Sequence, residues 1–89
     1  MQESIMSPYL DTEKNIDLAA LTQFLLAMVD KMNYNREVKG RNGWWDKEKC
    51  SNKYLTSMLI AHVKKGDPLD VAILAMMIHQ RGERIGETG

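Results

Sequence analysis

Gly66-Asp67-Pro68-Leu69-Asp70-Val71-Ala72-Ile73-Leu74-Ala75-Met76-Met77-Ile78 decides the fold class of this chain. Gly66 suits the left-handed residue that ends one helix, Asp67 the N-cap of the next, and Pro68 its first helical position. From Leu69 to Ile78 Asp70 alone is polar, so the helix predicted over 68–81, with Gly82 as its stop, is apolar almost all the way round. Such a helix must be covered on every side. In a chain of 89 residues that predicts burial between its own neighbours and a second copy of the protein. Leu69, Ile73, Met76 and Met77 are the expected contacts between copies.

Upstream of Gly66 the link is about two residues long, which predicts that the flanking helices pack side by side and antiparallel. The preceding helix is predicted over 51–65. Ser51 offers its N-cap, Leu55, Met58, Leu59, His62 and Val63 follow the helical period, and Lys64 and Lys65 suit the dipole of the last turn. Lys39 to Cys50 contains Gly40 and Gly43 and no alternating segment long enough for a strand. A first helix is predicted over 16–36, capped by Asn15, with an apolar stripe of Leu18, Leu21, Leu25, Met28, Val29 and Met32. Residues 1–14 read as an arm, 15–82 as a single helical domain, and 83–89 as a frayed tail. The expected architecture is an all-α three-helix protein with a long Gly/Trp loop between helices one and two, assembling as a homo-oligomer.

A hydrophobic content of 44% is that of a globular chain and argues against wholesale disorder. No apolar run reaches the roughly 18 residues of a membrane span. Met1-Gln2-Glu3-Ser4 does not lead from a basic region into a hydrophobic one, and Cys50 has no second cysteine to pair with. The expectation is a cytoplasmic protein, in the host cytoplasm if it is viral. Net charge is zero but uneven. Residues 1–30 carry five acids against one lysine, residues 31–65 nine bases against three acids, and residues 66–89 four acids against two arginines. A basic middle between acidic ends suits either an anionic ligand or mutual neutralisation, within one subunit or between two. It disfavours a strong nucleic-acid binder, which carries a basic excess over the whole domain.

The best ligand-site candidate is Lys39-Gly40-Arg41-Asn42-Gly43-Trp44-Trp45. Glycines let backbone amides approach an anion, Lys39 and Arg41 neutralise phosphate, Asn42 adds hydrogen bonds, and Trp45 can stack on a base. Trp44 is expected in the core, where so large a side chain stabilises most. Asp67-x-x-Asp70 reads first as an N-cap with an acid in the first turn, and second as a metal site. His62 lies on the apolar stripe of its helix, and neither it nor His79 has a partner at metal-ligand spacing. Cys50, at a helix start, reads as a passive thiol.

Asn35-Arg36, Lys39-Gly40 and Gly43-Trp44, followed by a helix and then by Asp67, Asp70-Val71-Ala72 and Met76-Met77, resemble a known group over residues 33–80. The group comprises small phage and prophage proteins related to the all-α, MazG-like nucleoside triphosphate pyrophosphohydrolases, which include dATP/dGTP pyrophosphohydrolases. The resemblance implies a dimer or tetramer and Mg²⁺ held by two helical carboxylate pairs, with cleavage between the α- and β-phosphates. Asp67 and Asp70 match the second pair, with Asp in place of Glu at its first position. The first pair is missing. Where the group places acids, this chain has Ser57, Ala61, His62 and Lys64, and no carboxylate lies between Glu48 and Asp67. The expectation is therefore a shortened relative without catalysis. It would be a self-associating accessory protein that binds a host partner protein or a nucleotide-like anion, as an inhibitor or sponge of host defence signals, and needs no cofactor. The alternatives are a Mg²⁺-dependent nucleotide pyrophosphohydrolase and a weak nucleic-acid binder using the basic middle.

Overall fold

A computed structural model of the chain describes residues 8–87. Its helices are α1 (Pro8–Glu37), α2 (Asn52–Lys65) and α3 (Pro68–Gln80), and there is no strand among the described residues. The protein is all-α. The α2–α3 hairpin forms where local chemistry dictates. Ser51 Oγ accepts the Tyr54 N–H at 3.0 Å, and Asp67 Oδ1 accepts the N–H groups of Leu69 at 3.1 Å and Asp70 at 3.3 Å. Between the two helices Gly66 adopts φ 76°, a left-handed conformation open to glycine at no steric cost.

Leu55, Leu59, Ile73 and Ile78 form the buried core, and Cys50, Val71, Leu74, Ala75 and Met77 pack around Leu55, Leu59 and Ile78. Leu55 near the start of α2 meets Ile78 near the end of α3, as an antiparallel hairpin requires. The apolar helix α3 is covered within one chain, by α2 on one side and α1 on another. Of the residues expected between copies, Ile73 is 3% exposed within the single chain, while Leu69, Met76 and Met77 are half-buried.

The first helix departs most from expectation. It begins at Pro8 rather than near Asn15, so residues 8–14 of the supposed arm are helical, and residues 1–7 lie outside the described residues. Proline costs nothing at a first helical position, because its missing N–H has no intrahelical partner there. Among the described residues α1 packs on α3 and not on α2. Its half-buried positions are Ala27, Met28, Lys31, Met32 and Asn35, one face of the last turns. Leu18, Leu21, Leu25 and Val29 of its apolar stripe are exposed. The radius of gyration, 17.0 Å, exceeds the roughly 12 Å of a compact chain of this length. A projecting α1, on the order of 45 Å long at 1.5 Å per residue, accounts for that.

The tail is not frayed over 83–87. Asn52 Nδ2 donates to Arg84 O at 2.9 Å and to Glu83 Oε1 at 3.1 Å, and the Gly86 N–H donates to Thr56 Oγ1 at 2.8 Å. These bonds fasten the segment to the first turns of α2. Residues 88–89 lie outside the described residues.

Candidate functional site

The loop between α1 and α2 is long, and Arg81 holds its far end in place. Arg81 caps α3, and its side chain is 3% exposed. One terminal nitrogen donates to Trp44 O at 2.6 Å and to Cys50 O at 2.8 Å, and the other donates to Glu83 Oε2 at 3.2 Å. Glu83 is held below its ordinary carboxylate range, first by the Asn52 side-chain amide and then by Arg81 and Lys47. At the near end, the Arg41 N–H donates to Asn35 O at 3.0 Å. Gly43, at φ 82°, is buried against the Lys49 side chain.

Pinned at both ends, the loop roofs a cavity of about 340 Å³ between the last turns of α1, the start of α2 and the middle of α3. Its apolar wall includes Met32, Trp44, Leu55, Met58, Leu74 and Met77. Its polar lining is Asn35, Arg36, Arg41, Asn42, Tyr54, His62 and Asp70. Two polar atoms in this lining, Asn35 Oδ1 and His62 Nδ1, are buried without a hydrogen-bond partner. An orphan acceptor in a cavity of this size is an unfilled demand for a donor.

Of the residues singled out in the sequence, Arg41 and Asn42 line the cavity. Lys39 and Trp45 do not. Lys39 Nζ sits 5.7 Å from the centre of the Tyr34 ring. Trp45 is 57% exposed, stands edge-on to Trp44 at 6.1 Å, and carries the Arg36 guanidinium 5.7 Å from its ring centre. Trp45 thus positions an arginine at the cavity and does not line it. Trp44, expected in the core, is half-buried and walls the cavity instead. Asn35 and Arg36 received no site role from sequence, because each sits at the end of a helix with nothing local to mark it.

Asp67 and Asp70 do come together, and His62 joins them, with one ligand atom from each within 4.8 Å of the others. His62 Nδ1 lies 3.5 Å from Asp70 Oδ2, close enough for attraction but not aligned for a hydrogen bond. Lys31 Nζ reaches the same oxygen at 3.8 Å. Asp67 is held below its ordinary value, first by its hydrogen bond with the Asp70 side chain, then by backbone N–H groups and Lys31. A hard Mg²⁺ ion takes several oxygen ligands, whereas a set containing imidazole suits a transition metal better. A cation there competes with Lys31 for Asp70 and with two backbone donors for Asp67. Sequence spacing could not reveal this group, because His62 and Asp70 meet only across the hairpin.

No helix among the described residues is long and apolar enough to cross a membrane. No family model matches the chain, and neither a curated protein nor a solved structure is similar to it.

Proposed function

We propose that the protein is a non-catalytic binder of a small anionic ligand with a planar, nucleotide-like moiety, held in the cavity under the loop. The observation that carries this reading is the cavity itself. At about 340 Å³ it falls in the size range of small-molecule sites. It joins an apolar, sulfur- and indole-lined interior to two guanidinium groups. Arg36 and Arg41 are suited to bidentate contacts with phosphate or carboxylate. Trp44 offers a π-surface to a base, and Asn35 Oδ1 an unused acceptor for an exocyclic amine. Binding without turnover fits the carboxylate count, since the only carboxylate in the lining, Asp70, faces Lys31.

The test is a titration calorimetry and thermal-shift series with nucleoside monophosphates, nucleosides and inorganic phosphate, on the wild-type chain and on Arg41→Ala. A ligand at 100 times its dissociation constant stabilises by about 2.7 kcal/mol. Binding of monophosphates that Arg41→Ala weakens about tenfold or more supports the reading. Equal binding to both proteins, or none of any probe to the wild type, overturns it.

The grouping of His62, Asp67 and Asp70 favours a second reading, a metal-dependent nucleotide pyrophosphohydrolase. It predicts pyrophosphate release from nucleoside triphosphates with Mg²⁺ or Mn²⁺, abolished by Asp70→Asn. No release from any triphosphate removes this reading and leaves the first intact.

A further inference from the structure

The N-terminal two-thirds of α1 poses a different question. Every described side chain from Asp11 to Leu26 is exposed. Among them, Ile16 is 61% exposed, Leu18 64%, Leu21 68%, Leu25 56% and Leu26 58%. Leu18, Leu21, Leu25 and Val29 share one side of the helix while Ile16, Phe24 and Leu26 turn to others, and the shared side is a patch of the few-hundred-Å² size at which exposed apolar surface is often functional. Leu18, Leu21, Leu25, Met28 and Met32 form one seam at three- and four-residue steps. Where α3 lies against α1, Met28 and Met32 are half-buried; at Leu25, Leu21 and Leu18 the seam is bare. The pattern of a packed helix thus continues beyond what this chain can cover.

We infer that this bare seam is the contact between two copies of the chain, with the two α1 helices side by side and antiparallel. Two arguments select that occupant. A seam pairing antiparallel with itself makes an isologous contact, which closes at two copies. Charge sets the direction. Asp11, Glu13 and Asp17 against Lys14 leave one end of α1 net negative, while Lys31, Arg36, Lys39 and Arg41 against Asp30 and Glu37 leave the other end and the residues just beyond it net positive. Antiparallel pairing brings the acidic end of each copy toward the basic end of its partner, whereas parallel pairing stacks acid on acid. The same acidic end opposes docking on an anionic lipid surface.

Sedimentation equilibrium over micromolar to submillimolar concentrations tests the inference on the full chain. The expected result is reversible association of the 10.2 kDa chain into pairs. Leu21→Glu with Leu25→Glu should weaken it about tenfold or more while helicity is retained, since both side chains are exposed in one subunit. Orientation is read by oxidative cross-linking in a Cys50→Ala background. Leu21→Cys, in the middle of the bare seam, should cross-link to itself and Asp11→Cys should not. A single-copy species at every concentration overturns the inference, and so does association unaffected by the two glutamates. Self-cross-linking at Asp11→Cys overturns the antiparallel arrangement. Partition of a single-copy protein into anionic vesicles assigns the seam to lipid and overturns it too. None of these outcomes depends on ligand binding under the loop.

Discussion

Replacing Arg81 is the sharpest test of how the loop is held. Its guanidinium donates to the carbonyls of Trp44 and Cys50, two loop residues that line the cavity. Each is a charge-assisted hydrogen bond, made by a side chain only 3% exposed. Truncation to alanine removes both donors and leaves the carbonyls to find water or remain unpaired. At about 1.5–3 kcal/mol for each hydrogen bond to a charged group, the loss is about 3–6 kcal/mol. For a domain of this size 1 kcal/mol moves the midpoint by about 4–8 °C, so Arg81→Ala should melt at least roughly 12 °C lower. Arg81→Lys should recover little of this, because an ammonium is a point charge without the planar fork that spans two acceptors. The protein's two tryptophans, Trp44 and Trp45, both sit in this loop and so report on it directly. Circular dichroism at 222 nm would follow the helices, and tryptophan emission with iodide quenching would follow the loop. Emission should shift to the red and quench more readily in Arg81→Ala well below its melting midpoint. A midpoint within about 3 °C of wild type, with unaltered quenching, would refute the reasoning.

Two further outcomes follow from the same geometry. Gly66→Ala places a Cβ in open space but at φ 76°, a left-handed conformation that costs an L-residue roughly 1–2 kcal/mol. Urea denaturation should show that loss, with Gly66→Asn losing less. Glu83 has a folded-state pKa depressed below its ordinary 4.5 by Asn52, Arg81 and Lys47. A depressed carboxylate contributes stability that is full above its unfolded pKa and is lost as pH falls through the folded value. The midpoint should therefore hold steady in this respect above about pH 5.5 and fall below pH 4.5, and Glu83→Gln should flatten that acid limb.

What could be read from sequence and what could not divide along one physical line. Ser51, Gly66, Asp67 and Pro68 act on backbone groups one to four residues away, so the chain by itself determined where α2 begins and ends and where α3 begins. Helical periodicity likewise determined the seam on α1, Leu18 to Met32. Only the tertiary structure decided which part of that seam is covered, since coverage depends on where α3 lies and how far it reaches. The apolar girth of α3 announced packing against neighbours, and contact with α1 and α2 in the same chain accompanies the burial of Ile73 and Ile78. Residues 8–14 carry no apolar period and so gave no helical signal, yet they continue the helix that follows. Arg41 and Asn42 were legible as ligand candidates from loop composition. Asn35, Arg36, the grouping of His62 with Asp70, and Arg81 reaching back to Trp44 were not, because each depends on contacts between segments that no local rule of spacing encodes.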